Sequence, residues 1–438
     1  MVWFNYILFI SITLVGFFYL LTNRVFVLKD ALLPEKNILV SGKQSLLLFI
    51  FATGIISCGG DLMANRLLMT IIITFSAIII CKKKIIFSPV VLFYIFYLSW
   101  LIISILFYSS VKGYGLRVFL KYLYPLLLVI FASQVTNSSK YYFKGLQIIL
   151  YVGLYGACFF LLLSRIPFLG EFLYNFTFWG TAIMDFFPVV ITICFALYSY
   201  INKKRYLFYI LLFVLPTVLS GVRTGLLAVS ITIVVFAVVR YKLKSIPYVF
   251  IGCAILIGAI LYVPAIRDKM FLRQMSTEEI IEQRDELTQD DIQSNGRFAM
   301  WEWSMENLYK GKELTGSGLG ALQYAFYNWD HPFGKLKVVH NDYVQILCDT
   351  GLIGLILYLA VFLSLILHSL IVYFNKKYNN IIRFAALVAG VSLAGMVSTL
   401  YTDNVVNYSL MTLSYPFALY GMMLGLKKRY SFEIKKDD

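Results

Sequence analysis

The sequence predicts an all-α, polytopic membrane bundle, and three observations carry that prediction. Hydrophobic residues make up 60% of the 438 and charged residues only 14%, whereas soluble domains carry roughly 25% charged residues. The apolar residues are gathered into runs of bilayer-crossing length, about 20 residues each. No run alternates in the manner of a barrel strand, and a lipid-exposed backbone that is not a closed barrel must be helical to satisfy its own hydrogen bonds.

The runs lie near 3–22, 44–58, 66–81, 89–108, 118–134, 146–164, 180–200, 206–219, 224–240, 247–263, 347–374, 383–401 and 408–426. That gives about twelve or thirteen spans, since 44–58 and 206–219 are short against the ~20-residue criterion. The first run has no basic leader and no small-residue cleavage site, so it reads as a retained span. Basic residues cluster in every second loop: Arg24 to Lys43, Lys82–Lys84, Lys140/Lys144, Lys203–Arg205, Arg240/Lys242/Lys244, Lys376/Lys377 and Lys427–Arg429. The positive-inside rule places that set in the cytoplasm and the alternate loops outside. This loop placement also accounts for the net charge of +15 without a nucleic-acid partner. The six cysteines are scattered with no C-x-x-C pair, so neither a zinc site nor a disulfide framework is expected.

Four regions follow: an N-terminal bundle of about ten spans over 1–263, an extracytoplasmic loop over 264–346, C-terminal spans over 347–426 and a cytoplasmic tail over 427–438. A loop this long in a compact protein is usually functional. Its first half holds eight of the chain's 23 acids, and Thr277 before Glu278 and Glu279 reads as a helix start. Its second half is aromatic, punctuated by Gly316, Gly318 and Gly320. Phe298, Trp301 and Met305 recur at helical spacing and predict an amphipathic helix with that face covered.

Three residues stand out chemically. His340 precedes a run from Asn341 to Phe374 that is longer than a span needs, so the helix is expected to project outward. Asn341 suits the N-cap and Asp342 the first turn. His340 would then sit at the positive end of a helix dipole, which favours the neutral imidazole that a general base needs. A surface histidine without a role is the alternative. Arg223, in LSGVRTGLLA, lies at the outward end of a span, where it either serves a site or snorkels. Arg297 falls in the first turn of the loop helix. A cation there opposes the dipole, which suggests an anionic partner, the alternatives being a solvated charge or a pair with Glu302 or Glu306. No metal site is expected: there is no D-x-D and no H-x-x-x-H spacing. GSGLG at 316–320 is followed by Ala321, so it lacks a glycine at the third position of the G-x-G-x-x-G dinucleotide loop, and it lies in a loop.

VVHNDYVQILCDTGLIGLILYL, with Arg297, Trp301 and the G-x-G-x-G of 316–320 before it, resembles the signature of the bacterial O-antigen polymerase and ligase superfamily. SGVRTG at 220–225 resembles that superfamily's S-R-T span start, with Val222 where a Ser or Gly often stands. The resemblance covers roughly residues 205–405.

It implies a GT-C-like integral-membrane glycosyltransferase that takes a glycan from undecaprenyl pyrophosphate at the outer face of the inner membrane. His340 would act as general base, with Arg223 and Arg297 neutralising the leaving pyrophosphate in place of a metal ion, so that no cofactor is needed and the anomer inverts. Asn341, Trp301, Tyr324, Trp329 and Asp403, in YTDN, become substrate-binding candidates. The acceptor would be a growing lipid-linked glycan for a polymerase or lipid A-core for a ligase, with a chain-length regulator as a further partner beside the lipid bilayer. Polymerase is the leading expectation, because that activity serves several envelope polysaccharides. A flippase of lipid-linked sugar is the alternative from another class, though transporters carry their sites near mid-membrane and these polar candidates lie at the outer boundary.

Overall fold

The computed structural model describes residues 63–81, 85, 86, 88–136, 138–158, 161, 186–220, 223–262, 296–333, 338–408 and 410–437. The runs expected at 3–22 and 44–58 and the acidic half of the loop lie outside these. The described residues are overwhelmingly helical, with no strand among them. In chain order the helices are α1 Met63–Ile80, α2 Val91–Ile103, α3 Lys112–Val135, α4 Ser139–Cys158, α5 Phe187–Ile201, α6 Arg205–Ser220, α7 Arg223–Tyr241, α8 Ile246–Tyr262, α9 Arg297–Ser304, α10 Ala321–Asn328, α11 Asp342–Phe374, α12 Asn380–Thr402, α13 Val405–Tyr408 and α14 Leu410–Asp437. Helices α2 and α9 each run on through a π turn, Ser104–Tyr108 and Met305–Tyr309.

Among the described residues, five helices are long and apolar enough to cross a bilayer: Val91–Tyr108, Lys112–Val135, Thr224–Ser245, Asp342–Phe374 and Asn380–Thr402. The chain is a multi-pass membrane protein. Helix α14 continues unbroken through the basic Lys427–Arg429 cluster, where the sequence suggested a separate tail.

Helix α12 forms the centre and packs against α5, α7, α11 and α14. Its buried face is rich in small residues, Ala385, Ala386, Ala389, Gly390, Ser392 and Gly395. In a membrane, where lipid tails are as apolar as leucine, close approach of small-residue faces replaces the hydrophobic drive between helices. Gly421 and Gly425 do the same for α14 against α3: a Cβ at either would collide with the carbonyls of Val129 or Thr136.

Helix α11 is broken. Gly351 has φ 67 and ψ −168, a conformation open essentially to glycine alone. From Leu352 to Phe374 the helix is long enough for a bilayer's hydrocarbon, about 30 Å at ~1.5 Å per residue. Asp342 to Thr350 is the extra length beyond that span. A helix break orphans backbone groups, and each must find a partner if buried. Here the glycine loop supplies them. Leu352 N donates to Glu313 O at 2.8 Å and Ile353 N to Leu314 O at 3.3 Å, while Ser317 N donates to Cys348 O at 2.8 Å. Trp100 Nε1 reaches Thr350 O at 3.1 Å and Ser104 Oγ reaches Asp349 O at 3.4 Å. Gly316, Gly318 and Gly320 all have positive φ and press on the backbones of Asp349–Gly351, Ser109 and Gly115. The G-x-G-x-G is thus a clasp that threads the loop between α2, α3 and the α11 break.

The face of α9 differs from expectation. Met300, Ser304 and Leu308 are buried, while Phe298, Trp301 and Met305 lie at the margin, half-covered. Apolar residues cover more than half of the helix and leave an exposed side at Ala299, Glu302 and Glu306, so spacing alone did not choose between neighbouring stripes, and the π turn at Met305–Tyr309 shifts the register by one residue.

Candidate active site

His340 sits immediately before the start of α11. Asn341 is extended and its Oδ1 accepts from Tyr343 N at 2.9 Å and Val344 N at 3.1 Å. That is the expected N-cap, and Asn341 is buried. The structure therefore places Asn341 as a helix cap, and its side-chain oxygen is committed to the backbone rather than offered to a substrate. His340 has φ 53, a left-handed conformation uncommon outside glycine though tolerated by His. Such strain persists where the surroundings fix it.

Two contacts do the fixing. The Trp301 indole N–H donates to Val339 O at 2.8 Å, holding the residue before the histidine. The imidazole Nδ1 lies 3.0 Å from Asp403 Oδ1. Both side chains are mostly covered, with 23% and 15% exposure. Asp403 closes the C-terminus of α12, where its backbone N–H donates to Thr399 O at 2.9 Å, and Asp403 Oδ1 also accepts from Asn404 N at 2.8 Å. A carboxylate on Nδ1 selects the tautomer with Nδ1–H, which leaves the lone pair on Nε2. The same carboxylate stabilises an imidazolium when one forms.

Arg297 joins them. Its Nη1 donates to Thr402 O at 2.5 Å, one residue before Asp403. Thr402 ends α12, so Arg297 meets the negative end of that helix dipole rather than Glu302 or Glu306. Sequence reasoning had inferred an anionic partner; the partner here is a carbonyl at a helix C-terminus.

Arg223 begins α7, and its side chain lies outside what is described. The level of its backbone can be worked out. Helix α7 packs on α12, with Thr232 against Gly395. Its far end is fixed by Arg240, which reaches Tyr373 Oη at the end of α11, while Arg383 near the start of α12 donates to Tyr373 O at 2.9 Å. The two helices are thus antiparallel. Arg223 is nine residues from Thr232 and Asp403 eight from Gly395, or about 13 and 12 Å at ~1.5 Å per residue. Arg223 therefore starts its helix at the level of Asp403.

Of the remaining candidates, Tyr324 and Trp329 stand apart from the histidine, while Trp301 adjoins it. Tyr324 packs edge-on to Tyr114 at 5.4 Å. Trp329 is exposed and edge-on to Trp303 at 6.3 Å. Trp301 is edge-on to Tyr401 at 5.8 Å and works as a clasp through its N–H. At the loop tip Glu313 accepts from Gly311 N at 2.7 Å, and that bond holds its carboxyl below the ordinary range.

Sequence reasoning passed over Asp349, whose Oδ1 and Oδ2 accept from Leu322 N at 2.8 Å and Gly320 N at 3.1 Å. It caps α10 from another helix, for Gly320 has no side chain to do so. It also passed over the polar residues beneath the histidine: Lys121, Gln345, Asn404 and Asn407. Burial of Gln and Asn among apolar spans has no local sequence signature. Among the described residues no three His, Cys, Asp or Glu gather as a metal site would require.

Residues 207–359 match the family model described as O-antigen ligase. The match takes in Arg223, Arg297 and His340 and stops short of Asp403. No curated protein matches the chain.

Proposed function

We propose that this chain, a member of the O-antigen polymerase and ligase superfamily, transfers a glycan from a polyprenyl pyrophosphate carrier to a saccharide hydroxyl at the outer face of the inner membrane. The observation that carries the reading is the His340–Asp403 pair at 3.0 Å with Arg297 on the adjoining carbonyl. His340 Nε2 takes the proton from the acceptor hydroxyl. The acceptor oxygen then attacks the anomeric carbon of the donor, and the bond from that carbon to the pyrophosphate oxygen breaks. The electron pair leaves with the carrier pyrophosphate. A single displacement inverts the anomer. Planar guanidinium forks match phosphate oxygens, so Arg297 and Arg223 neutralise the leaving group and no metal ion is assigned. General-base assistance contributes roughly 10²–10⁴-fold and preorganised cations a comparable factor.

The acceptor we assign is a second lipid-linked repeat unit, which makes the protein a polymerase. The second reading, transfer to lipid A-core, draws support from the family's description as O-antigen ligase. A deletion strain separates them on a glycan gel. Loss of the polymerase leaves envelope acceptors capped with single repeat units. Loss of a ligase leaves long lipid-linked chains that never reach lipid A. Unchanged glycan on the deletion would refute both. A flippase is disfavoured by the placement of His340, Asp403 and Arg297 at one end of the bundle instead of its middle. Purified protein given lipid-linked donor and acceptor should make product without a second leaflet to cross, which a flippase would not.

A further inference from the structure

We infer that a buried polar truss of Gln345, Asn404, Asn407 and Lys121 positions Asp403 against His340. The inference rests on the general-base reading for its purpose but stands on its own geometry. Gln345 lies one turn into α11, 1% exposed. Its Oε1 accepts from Asn404 Nδ2 at 2.7 Å and from Asn407 Nδ2 at 2.9 Å. Asn407 Oδ1 in turn accepts from Lys121 Nζ of α3 at 2.5 Å. Asp342 Oδ2 accepts from Val406 N at 3.3 Å. These bonds tie the short segment after α12 to two other helices, and Asp403 is the first residue of that segment. Asn404 links both parts, since its backbone N–H donates to Asp403 Oδ1 and its side chain grips Gln345.

The truss does not act as ordinary stabilisation. Asn404 Oδ1 is buried without a partner, so the network is not fully satisfied. A partly satisfied polar network is worse for stability than apolar packing of the same shape. A buried lysine among spans is costly too and marks function by default. What the network gives in return is direction. Asp403 ends a helix in extended conformation (φ −146), and the one bond its neighbour gives its carboxylate, from Asn404 N, is aimed by the grip of the Asn404 side chain on Gln345. These residues touch neither sugar nor phosphate in the assignment above; they are positioning residues that act through Asp403.

The test uses the full-length protein in detergent, labelled with ¹⁵N-histidine. The chain has three histidines, and His340→Gln assigns the signal by its disappearance. The wild type should show the Nδ1–H tautomer at His340. Gln345→Leu and Asp403→Asn should both shift it toward Nε2–H. On lipid-linked donor and acceptor, Gln345→Leu should lower kcat by about 10–100-fold, the usual range for losing an outer-shell orienting partner, with KM held within about twofold. The double variant Gln345→Leu/Asp403→Asn should be no slower than Asp403→Asn alone, because residues that act as a unit are not additive. Asn407→Ala, which removes the far brace without emptying the site under the histidine, provides the same comparison should Gln345→Leu fold poorly. An unchanged His340 tautomer in both truss variants overturns the proposal, as does a double variant whose losses multiply. A shifted tautomer with unchanged kcat upholds the truss and instead refutes the general-base reading.

Discussion

Replacing Asp349 should loosen the glycine loop by an amount that follows from two hydrogen bonds. The carboxylate accepts from Leu322 N at 2.8 Å and Gly320 N at 3.1 Å, and the residue is fully buried. Hydrogen bonds to a charged group contribute about 1.5–3 kcal/mol each, and a buried N–H left unpaired costs a similar amount. Asp349→Asn keeps one acceptor and turns an NH₂ toward the other amide, so it should cost about 1.5–3 kcal/mol. Asp349→Ala strands both amides and should cost about 3–6 kcal/mol. The loss should be local, because α10 would fray from its N-terminus while α11 and α12 keep their packing. Hydrogen exchange at the Gly320 and Leu322 amides reads it directly. Each 1.4 kcal/mol is a factor of ten, so protection should fall roughly 10–100-fold for Asn and further for Ala. A change below about threefold in the alanine variant would show that Asp349 does not cap α10.

Asp403→Asn should lower kcat by about 10²–10⁴-fold, as loss of a tautomer-setting carboxylate does elsewhere, with donor affinity retained; steady-state kinetics on lipid-linked substrate checks it. Arg223→Lys and Arg297→Lys should each fail to restore transfer, because lysine keeps the charge but loses the planar fork; for Arg297 the contact to Thr402 O would be lost as well. Transfer should persist in EDTA, and loss on chelation restored by Mg²⁺ or Mn²⁺ would place phosphate neutralisation on a metal rather than on the arginines. Gly351→Ala should fold poorly, since its Cβ would collide with the Leu314 carbonyl and the residue sits at φ 67; near-native thermal stability would count against the clasp.

The helical state of the described runs was legible because lipid removes the ambiguity that soluble folds allow: an apolar run of bilayer length has one backbone solution; helix ends were less so, since α4 begins at Ser139 and α14 runs on to Asp437. The cap at Asn341 and the extra length of α11 were legible from local residue types and run length. The break at Gly351 was not. Its signal, a glycine in CDTGLIG, reads as tolerated within a helix until one sees which loop carbonyls approach it. The stripe on α9 was misread because Phe298, Met300, Trp301, Trp303, Met305 and Leu308 cover all of that helix but its Glu302–Glu306 side, and only packing selects among them. Arg297 and His340 stood out by residue type, and the return of the loop to the bundle was expected to bring them close, but the Thr402–Asp403 bridge between them was not legible. Asp403 was singled out as a polar outward residue with no way to tell that it faces an imidazole 63 positions earlier. Long-range polar pairs leave no periodic trace. Gln345 and Asn404 are the extreme case, polar residues whose meaning comes wholly from one another.

The most direct test of the account is the pair His340→Ala and His340→Gln, assayed for transfer on purified lipid-linked donor and acceptor beside a measurement of donor binding. If His340 is the base that Asp403 orients, both variants should lose about 10²–10⁴-fold in kcat while binding donor as the wild type does. Chain synthesis near the wild-type rate in either variant, with protein amounts matched, would contradict the assignment and leave the 3.0 Å pair with Asp403 as a structural contact alone.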